Sequence, residues 1–148
     1  MRDCGSMSVD DDFMFVASGA ECLALDVLTG KVVRSLTIPV ASNAENHEWG
    51  YVGKVGDFLL GSAVKKGGIR RDYGHEGIRE AYWDNRPPVC SDSLFAIAPR
   101  TGKPVWTYLP TSDGSIVNSS IAASHEGLHF IECPTPANQG RVPYENIL

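Results

Sequence analysis

Leu23-Ala24-Leu25-Asp26-Val27-Leu28-Thr29-Gly30-Lys31-Val32-Val33-Arg34-Ser35-Leu36, set without gaps above Phe95-Ala96-Ile97-Ala98-Pro99-Arg100-Thr101-Gly102-Lys103-Pro104-Val105-Trp106-Thr107-Tyr108, decides the fold. Five of the fourteen positions are identical: Ala24/Ala96, Thr29/Thr101, Gly30/Gly102, Lys31/Lys103 and Val33/Val105, all at an offset of 72 residues. Apolar residues also face each other at Leu23/Phe95, Leu25/Ile97 and Leu36/Tyr108. An internal repeat accounts for this better than chance. Each copy reads as a strand, a Thr-Gly-Lys turn and a second strand. In a three- to five-residue hairpin loop built on a type I turn, the last position falls in the left-handed region, where glycine meets no Cβ penalty. Gly30 and Gly102 fit that position.

Outward from the hairpins, apolar runs of four to six residues alternate with turn signals, and no i, i+3, i+4, i+7 stripe is long enough for a substantial helix. The first unit has three clear strands, Phe13 to Val16, Cys22 to Leu25 and Val32 to Leu36. The second opens at Trp49 to Val55, turns at Gly56-Asp57 and runs on from Phe58 to Ala63; its remaining strands, Ser93 to Ala98 and Pro104 to Tyr108, follow a long insertion. A third unit predicts one strand from Ser115 to Ala123, a turn at His125-Glu126-Gly127 and another strand from Leu128 to Cys133. The tail carries Pro134, Pro136 and Pro143 and no further strand pattern, so this unit reads as half built. The expected organisation is all-β: a unit of about 1–37, a second of about 49–109 with an insertion at 64–92, and a half unit of about 115–148.

Composition agrees. Fifteen glycines and nine prolines among 148 residues suit many tight turns, and 43% hydrophobic residues suffice for a core. A net charge of −5 argues against a nucleic-acid binder, which needs a basic face to neutralise phosphates. No run approaches the roughly 20 apolar residues of a membrane-spanning helix. No apolar h-region of a signal peptide follows Met1. Cys4, Cys22, Cys90 and Cys133 form no C-x-x-C pair, so local spacing builds neither a zinc knuckle nor a redox motif, and buried thiols are expected.

Phe13 to Val16 and Leu94 to Ile97 are apolar on both faces, so each sheet must be covered on two sides. Radial stacking of four-stranded sheets, as in a β-propeller, does this; a β-sandwich is the main alternative, but it does not predict a repeated hairpin. The stretch from Leu94 to Tyr108 resembles the repeat of the pyrroloquinoline-quinone (PQQ)-like β-propellers, in which an apolar-Ala-apolar-Asp strand leads to a Thr-Gly-Lys turn and then a Trp. The likeness extends in outline over most of residues 13 to 133, and the Thr-Gly hairpins are its specific part. Asp26 keeps the residue before the turn where the second unit has Ala98, and Trp106 keeps the Trp where the first unit has Arg34.

That resemblance implies a partial propeller of two to three four-stranded blades, with Thr29, Gly30, Thr101 and Gly102 as the structural repeat and Trp106 packing between blades. It implies a place outside the bacterial cytoplasm and, as partners, the remaining blades of a longer parent. The family includes quinoprotein dehydrogenases and non-enzymatic propellers. No PQQ or calcium ligands can be placed on these residues, so no catalytic, cofactor or metal residues are assigned. The expected function is a non-catalytic scaffold that binds another protein or a glycan. The alternatives are part of a PQQ- and calcium-dependent alcohol or sugar dehydrogenase, or a carbohydrate-binding propeller.

If strands alternate in direction, the Thr-Gly turns lie at one end of the blades and residues 17–21, 39–48, the insertion, 110–114 and the tail after Cys133 at the other. The insertion holds Arg70, Arg71, Tyr73, His75, Tyr82 and Trp83, basic and aromatic side chains that together suit an anionic ligand, a polysaccharide or a partner protein. A solvated loop that packs its aromatics on the blade end is the simpler reading. His47-Glu48 and His75-Glu76 lack an H-E-x-x-H frame, and neighbours on a strand point to opposite faces, so neither makes a metal or acid–base pair. Asp10-Asp11-Asp12 lacks the spaced oxygens of a calcium loop and reads as an acidic turn. Asn118-Ser119-Ser120 matches a glycosylation triplet but falls within an expected strand.

Overall fold

A computed structural model describes residues 6–39, 44–66, 89–111 and 114–133 of the chain. The protein is all-β, and its two main sheets are four-stranded antiparallel meanders. The first is built from β1 (Met7–Val9), β2 (Phe13–Ser18), β3 (Glu21–Asp26) and β4 (Val32–Thr37), hydrogen-bonded in that order. The second is built from β5 (His47–Val55), β6 (Phe58–Lys65), β8 (Ser93–Ile97) and β9 (Pro104–Tyr108). The two-residue strand β7 (Cys90–Ser91) precedes β8 and joins a different sheet.

The first unit therefore has one strand more than its apolar runs announce. β1 is only Met-Ser-Val, too short to show a period, and it is held by the turn that follows. Asp10 accepts hydrogen bonds at Oδ1 from the backbone N–H of Asp12 (3.0 Å) and Phe13 (2.7 Å). An aspartate that bonds backbone two and three residues on makes an Asx turn, so the acidic triplet is a turn, as its composition implies.

The two Thr-Gly hairpins share two backbone bonds. Asp26 N–H donates to Lys31 O (2.9 Å) and Gly30 N–H to Asp26 O (2.8 Å); Ala98 N–H donates to Lys103 O (2.9 Å) and Gly102 N–H to Ala98 O (2.8 Å). Gly30 has φ of 67° and Gly102 of 73°, the left-handed conformation that the turn reading requires. Each hairpin also has a register shift at the same place, between Ala24 and Leu25 and between Ala96 and Ile97.

Register fixes which side chains share a face. In the first sheet Phe15 pairs with Ala24, Ala17 with Cys22, and Cys22 with Leu36, so these lie on one face, called here the front. Met14, Val16, Leu23 and Leu25 lie on the back. Seventy-two residues on, Ala96 lies on the front of the second sheet with Leu60, Ser62 and Leu94, while Phe95 and Ile97 lie on its back with Leu59 and Gly61.

The main core joins Phe15, Ala17, Cys22, Ala24 and Leu36 to Trp49, Leu59, Ala63, Phe95 and Ile97, all buried. The front of the first sheet thus packs on the back of the second. Trp49 and Phe95 meet edge to face, with ring centroids 4.9 Å apart at 81°, a favoured aromatic geometry. Gly61 makes room for them: a Cβ there would come 2.4 Å from Trp49 and 2.5 Å from Phe95.

The front of the second sheet is covered too, by the third unit, so this sheet is buried on both faces, as its unbroken apolar strands demand. Here the structure corrects the expected pair of long strands. β10 (Ser115–Val117) stops at a single 3-10 turn, Asn118–Ser120, and is followed by β11 (Ala122–Ala123), β12 (Leu128–His129) and β13 (Glu132–Cys133). β11 pairs only with β12, while β10 is the centre of a small sheet between β13 and β7. The cause is the polar triplet. Ser120 Oγ donates to Val117 O (2.7 Å) and accepts from Ile131 N–H (2.8 Å), side-chain bonds that replace ladder bonds. Asn118 is buried, which sets aside its triplet as a glycan site for a reason other than the expected strand.

Candidate binding end of the stacked sheets

The two ends of the stack differ as strand parity requires. At the end with the Thr-Gly turns, Arg100 in the second hairpin donates to Asp12 Oδ2 (2.9 Å), and Lys54 Nζ lies 3.6 Å from Asp10 Oδ2. Lys54 N–H also donates to Ser8 Oγ (2.9 Å), so the turns of the two sheets lie side by side. At the opposite end Trp49 N–H donates to Gly19 O (2.8 Å), joining the β2–β3 turn to the start of β5. The segment between Lys66 and Val89 leaves and returns at this second end. Lys66 N–H donates to Asn46 O (2.8 Å) where the segment leaves, and Asp92 N–H donates to Ala63 O (2.9 Å) where it returns.

A buried histidine closes this root. His47, the first residue of β5, pairs across from Lys65, and its Nε2 lies 2.7 Å from Asp92 Oδ2. His47 is buried and Asp92 half-buried. The contact joins the entry of β5 to the return of the segment, 45 residues apart. Glu48, next to His47, is across from Val64 and points to the other face of the sheet. Only the histidine of this pair carries a signal in the sequence, and nothing local marks Asp92 as its partner.

A second polar group lies between the front of the second sheet and the third unit. Ser91 Oγ and Ser62 Oγ are 2.8 Å apart, and both lie within hydrogen-bonding distance of Asn118 Oδ1. The three buried side chains meet at Asn118 Oδ1 and fix how the small sheet sits, while the buried Asn118 Nδ2 has no hydrogen-bond partner among the described residues. Gly50, at the bulge in β5, is required there: a Cβ would come 2.6 Å from Asn118 Nδ2 and 2.2 Å from Val64. Glu132 ties the outer side down, accepting from Tyr108 Oη (2.6 Å), Thr111 N–H (2.9 Å) and Thr111 Oγ1 (2.8 Å). Those donors hold its carboxyl below the usual carboxylate range.

Cys22, Cys90 and Cys133 are thiols. Burial pushes the Cys22 thiol up to about 12 and raises that of Cys90 as well, the opposite of what a nucleophile or a metal ligand needs. Cys4 lies outside the described residues. Among the described residues no three or more His, Cys, Asp and Glu side chains converge on a metal-sized site, and no helix is long and apolar enough to cross a membrane.

Arg70, Arg71, Tyr73, His75, Tyr82 and Trp83 all lie outside the described residues, as does His75-Glu76. Of the repeat residues, Thr29 donates from Oγ1 to Asp26 Oδ1 (2.7 Å), Thr101 Oγ1 accepts from Lys103 N–H (3.3 Å), and Gly30 and Gly102 take the left-handed turn position. Trp106 lies across from buried Ala96 on the front of the second sheet, and is partly exposed. Arg34 holds the same place across from Ala24. Comparison with protein-family models, curated proteins and solved structures finds no significant match to this chain.

Proposed function

We propose that this chain is a segment of a PQQ-like β-propeller and serves as a non-catalytic scaffold that binds another protein or a glycan. The observation that carries the reading is directional stacking. Two four-stranded meanders whose Thr-Gly hairpins share two backbone bonds pack front to back, and the front of the second receives a further small sheet. Sheets stacked in one direction are what a propeller is made of, whereas a sandwich closes two inner faces on each other. The repeat itself and its Thr-Gly-Lys-x-x-Trp stretch favour the PQQ-like kind.

The binding surface in this reading is the end away from the Thr-Gly turns. There the segment rich in arginine and aromatic residues leaves a root fixed by His47 and Asp92. Loops held by rigid sheets are where binding residues concentrate. By the same resemblance the parent protein works outside the bacterial cytoplasm and supplies the remaining blades.

Titration of the protein with PQQ in the presence of calcium, followed by quinone absorbance, tests the non-catalytic part. The expected result is no saturable change. Saturable binding, together with dye-linked oxidation of alcohols or sugars, would replace the scaffold with a quinoprotein oxidoreductase. A glycan array run in parallel, with Trp83→Ala as the control, separates a carbohydrate ligand from a protein partner.

A further inference from the structure

We infer that the two main sheets enclose an internal water molecule, held between Trp49 Nε1 and Ser93 Oγ. Both residues are 1% exposed, and neither atom has a hydrogen-bond partner among the described residues. Buried polar atoms in a native fold are paired, either with protein or with ordered water. Asn118 Nδ2 is also unpaired, but it lies on the front of the second sheet with Ser62 and Ser91. Trp49 and Ser93 are on the back. Each pairs with Ala63, one from β5 and the other from β8, so the three residues form a single row across the sheet. Neighbouring strands are about 4.8 Å apart, which leaves the two outer backbones roughly 10 Å apart with the small Ala63 side chain between them.

The indole narrows that gap. Its Cζ3 lies over Gly61, 2.4 Å from where a Cβ would stand, and Nε1 is on the opposite edge of the ring. The N–H therefore turns away from Gly61, toward the end of the sheet where β8 begins at Ser93. Ala17, Cys22 and Leu36 of the first sheet belong to the same core as Trp49 and Ala63, so the row is covered. The chemistry of the two atoms selects the occupant. An indole N–H only donates, so a cation, which needs oxygen ligands, does not fit. An anion would stand beside the Asp92 carboxylate, which adjoins Ser93 and has its Oδ2 2.7 Å from His47 Nε2. Water suits both atoms, accepting from Trp49 Nε1 and donating to Ser93 Oγ. Two polar partners are enough to order a water inside a protein. Bridging β5 and β8 across β6, it gives an apolar core one polar fixed point.

Nuclear Overhauser and rotating-frame spectra of the intact protein, isotopically labelled at the indole nitrogens, test this. The Trp49 indole N–H is expected to show a cross-peak at the water frequency that is opposite in sign in the two spectra, the mark of a long-lived neighbour rather than of proton exchange. The Ser93 hydroxyl resonates at the same frequency, so oxygen relaxation dispersion of the solvent, which senses bound waters and is blind to hydroxyls, is compared between the parent protein and Ser93→Ala. The variant leaves the water with a single partner. Its dispersion amplitude is expected to fall by the share of a single water molecule, with the far-ultraviolet spectrum unchanged. A parent protein without the cross-peak overturns the inference, and that measurement needs no variant. An amplitude that Ser93→Ala leaves unchanged overturns it as well, because the cross-peak then belongs to the hydroxyl.

Discussion

Asp26 accepts hydrogen bonds from Thr29 Oγ1 and Thr29 N–H, each at 2.7 Å, and these bonds hold its carboxyl below the usual range. The second hairpin has Ala98 at the same place and dispenses with this bond, so the aspartate strengthens a turn that its glycine already permits. An aspartate whose folded pKa lies below the ordinary value, about 3.9, stabilises the protein while it is ionised. Its contribution is complete above the ordinary range and is lost as the pH falls through the folded pKa. In Thr29→Val, which removes the hydroxyl, the Asp26 carboxyl titrates at a higher pH than in the parent protein, as followed by carboxyl-carbon NMR. An unchanged midpoint would show that the hydroxyl does not set the shift. Other residues are explained by space rather than charge. Gly61 and Gly50 have no sequence signal beyond being glycines in strands, and their reasons, the Trp49 and Phe95 rings and the Asn118 amide, come from other elements of the fold.

At the scale of elements, the two hairpins were legible because a tight turn states its needs locally. Thr-Gly at a left-handed position requires glycine whatever surrounds it, and the flanking apolar alternation fixes the register. Replacing Gly30 by Ala is expected to cost about 1–2 kcal/mol, the penalty of a left-handed residue with a Cβ. Gly102→Ala is expected to cost about as much: its Cβ would reach Leu36 Cδ2 at 3.4 Å, an ordinary van der Waals contact, and nothing lies within 4 Å at Gly30. Urea denaturation of both variants measures this, and a neutral Gly102→Ala would contradict the turn assignment. The third unit was much less legible. Its apolar run from Ser115 to Ala123 hides a break made by Asn118 and Ser120, whose side chains bond to Ser62 and to the Ile131 N–H, groups that the sequence does not bring near them. β1 was missed because three residues carry no period. The His47–Asp92 contact was out of reach for a related reason: the sequence sets His47 beside Glu48, nothing local marks Asp92, and only the folding of β5 against the root of the insertion brings the two together.

At the scale of the whole molecule, the sequence requires that each sheet be covered on both faces, but not by what or in which order. The structure supplies the order. Residues at equivalent positions, Ala24 and Ala96, face opposite neighbours: Ala24 lies in the core with Phe95 and Ile97, and Ala96 turns toward the third unit. A sandwich would have brought both alanines to one shared core. The central claim is therefore a direction of stacking, and it can be read from distances between methyl groups and rings in solution. A nuclear Overhauser spectrum of the methyl-labelled protein is expected to connect the methyls of Ala17, Ala24 and Leu36 to those of Ile97 or to the Phe95 ring. In the same spectrum the methyls of Leu60, Leu94 and Ala96 connect to Ile116, and to no residue of the first sheet. Cross-peaks from Leu94 or Ala96 to Ala24 would contradict the account, because they would place two fronts together and make the molecule a sandwich.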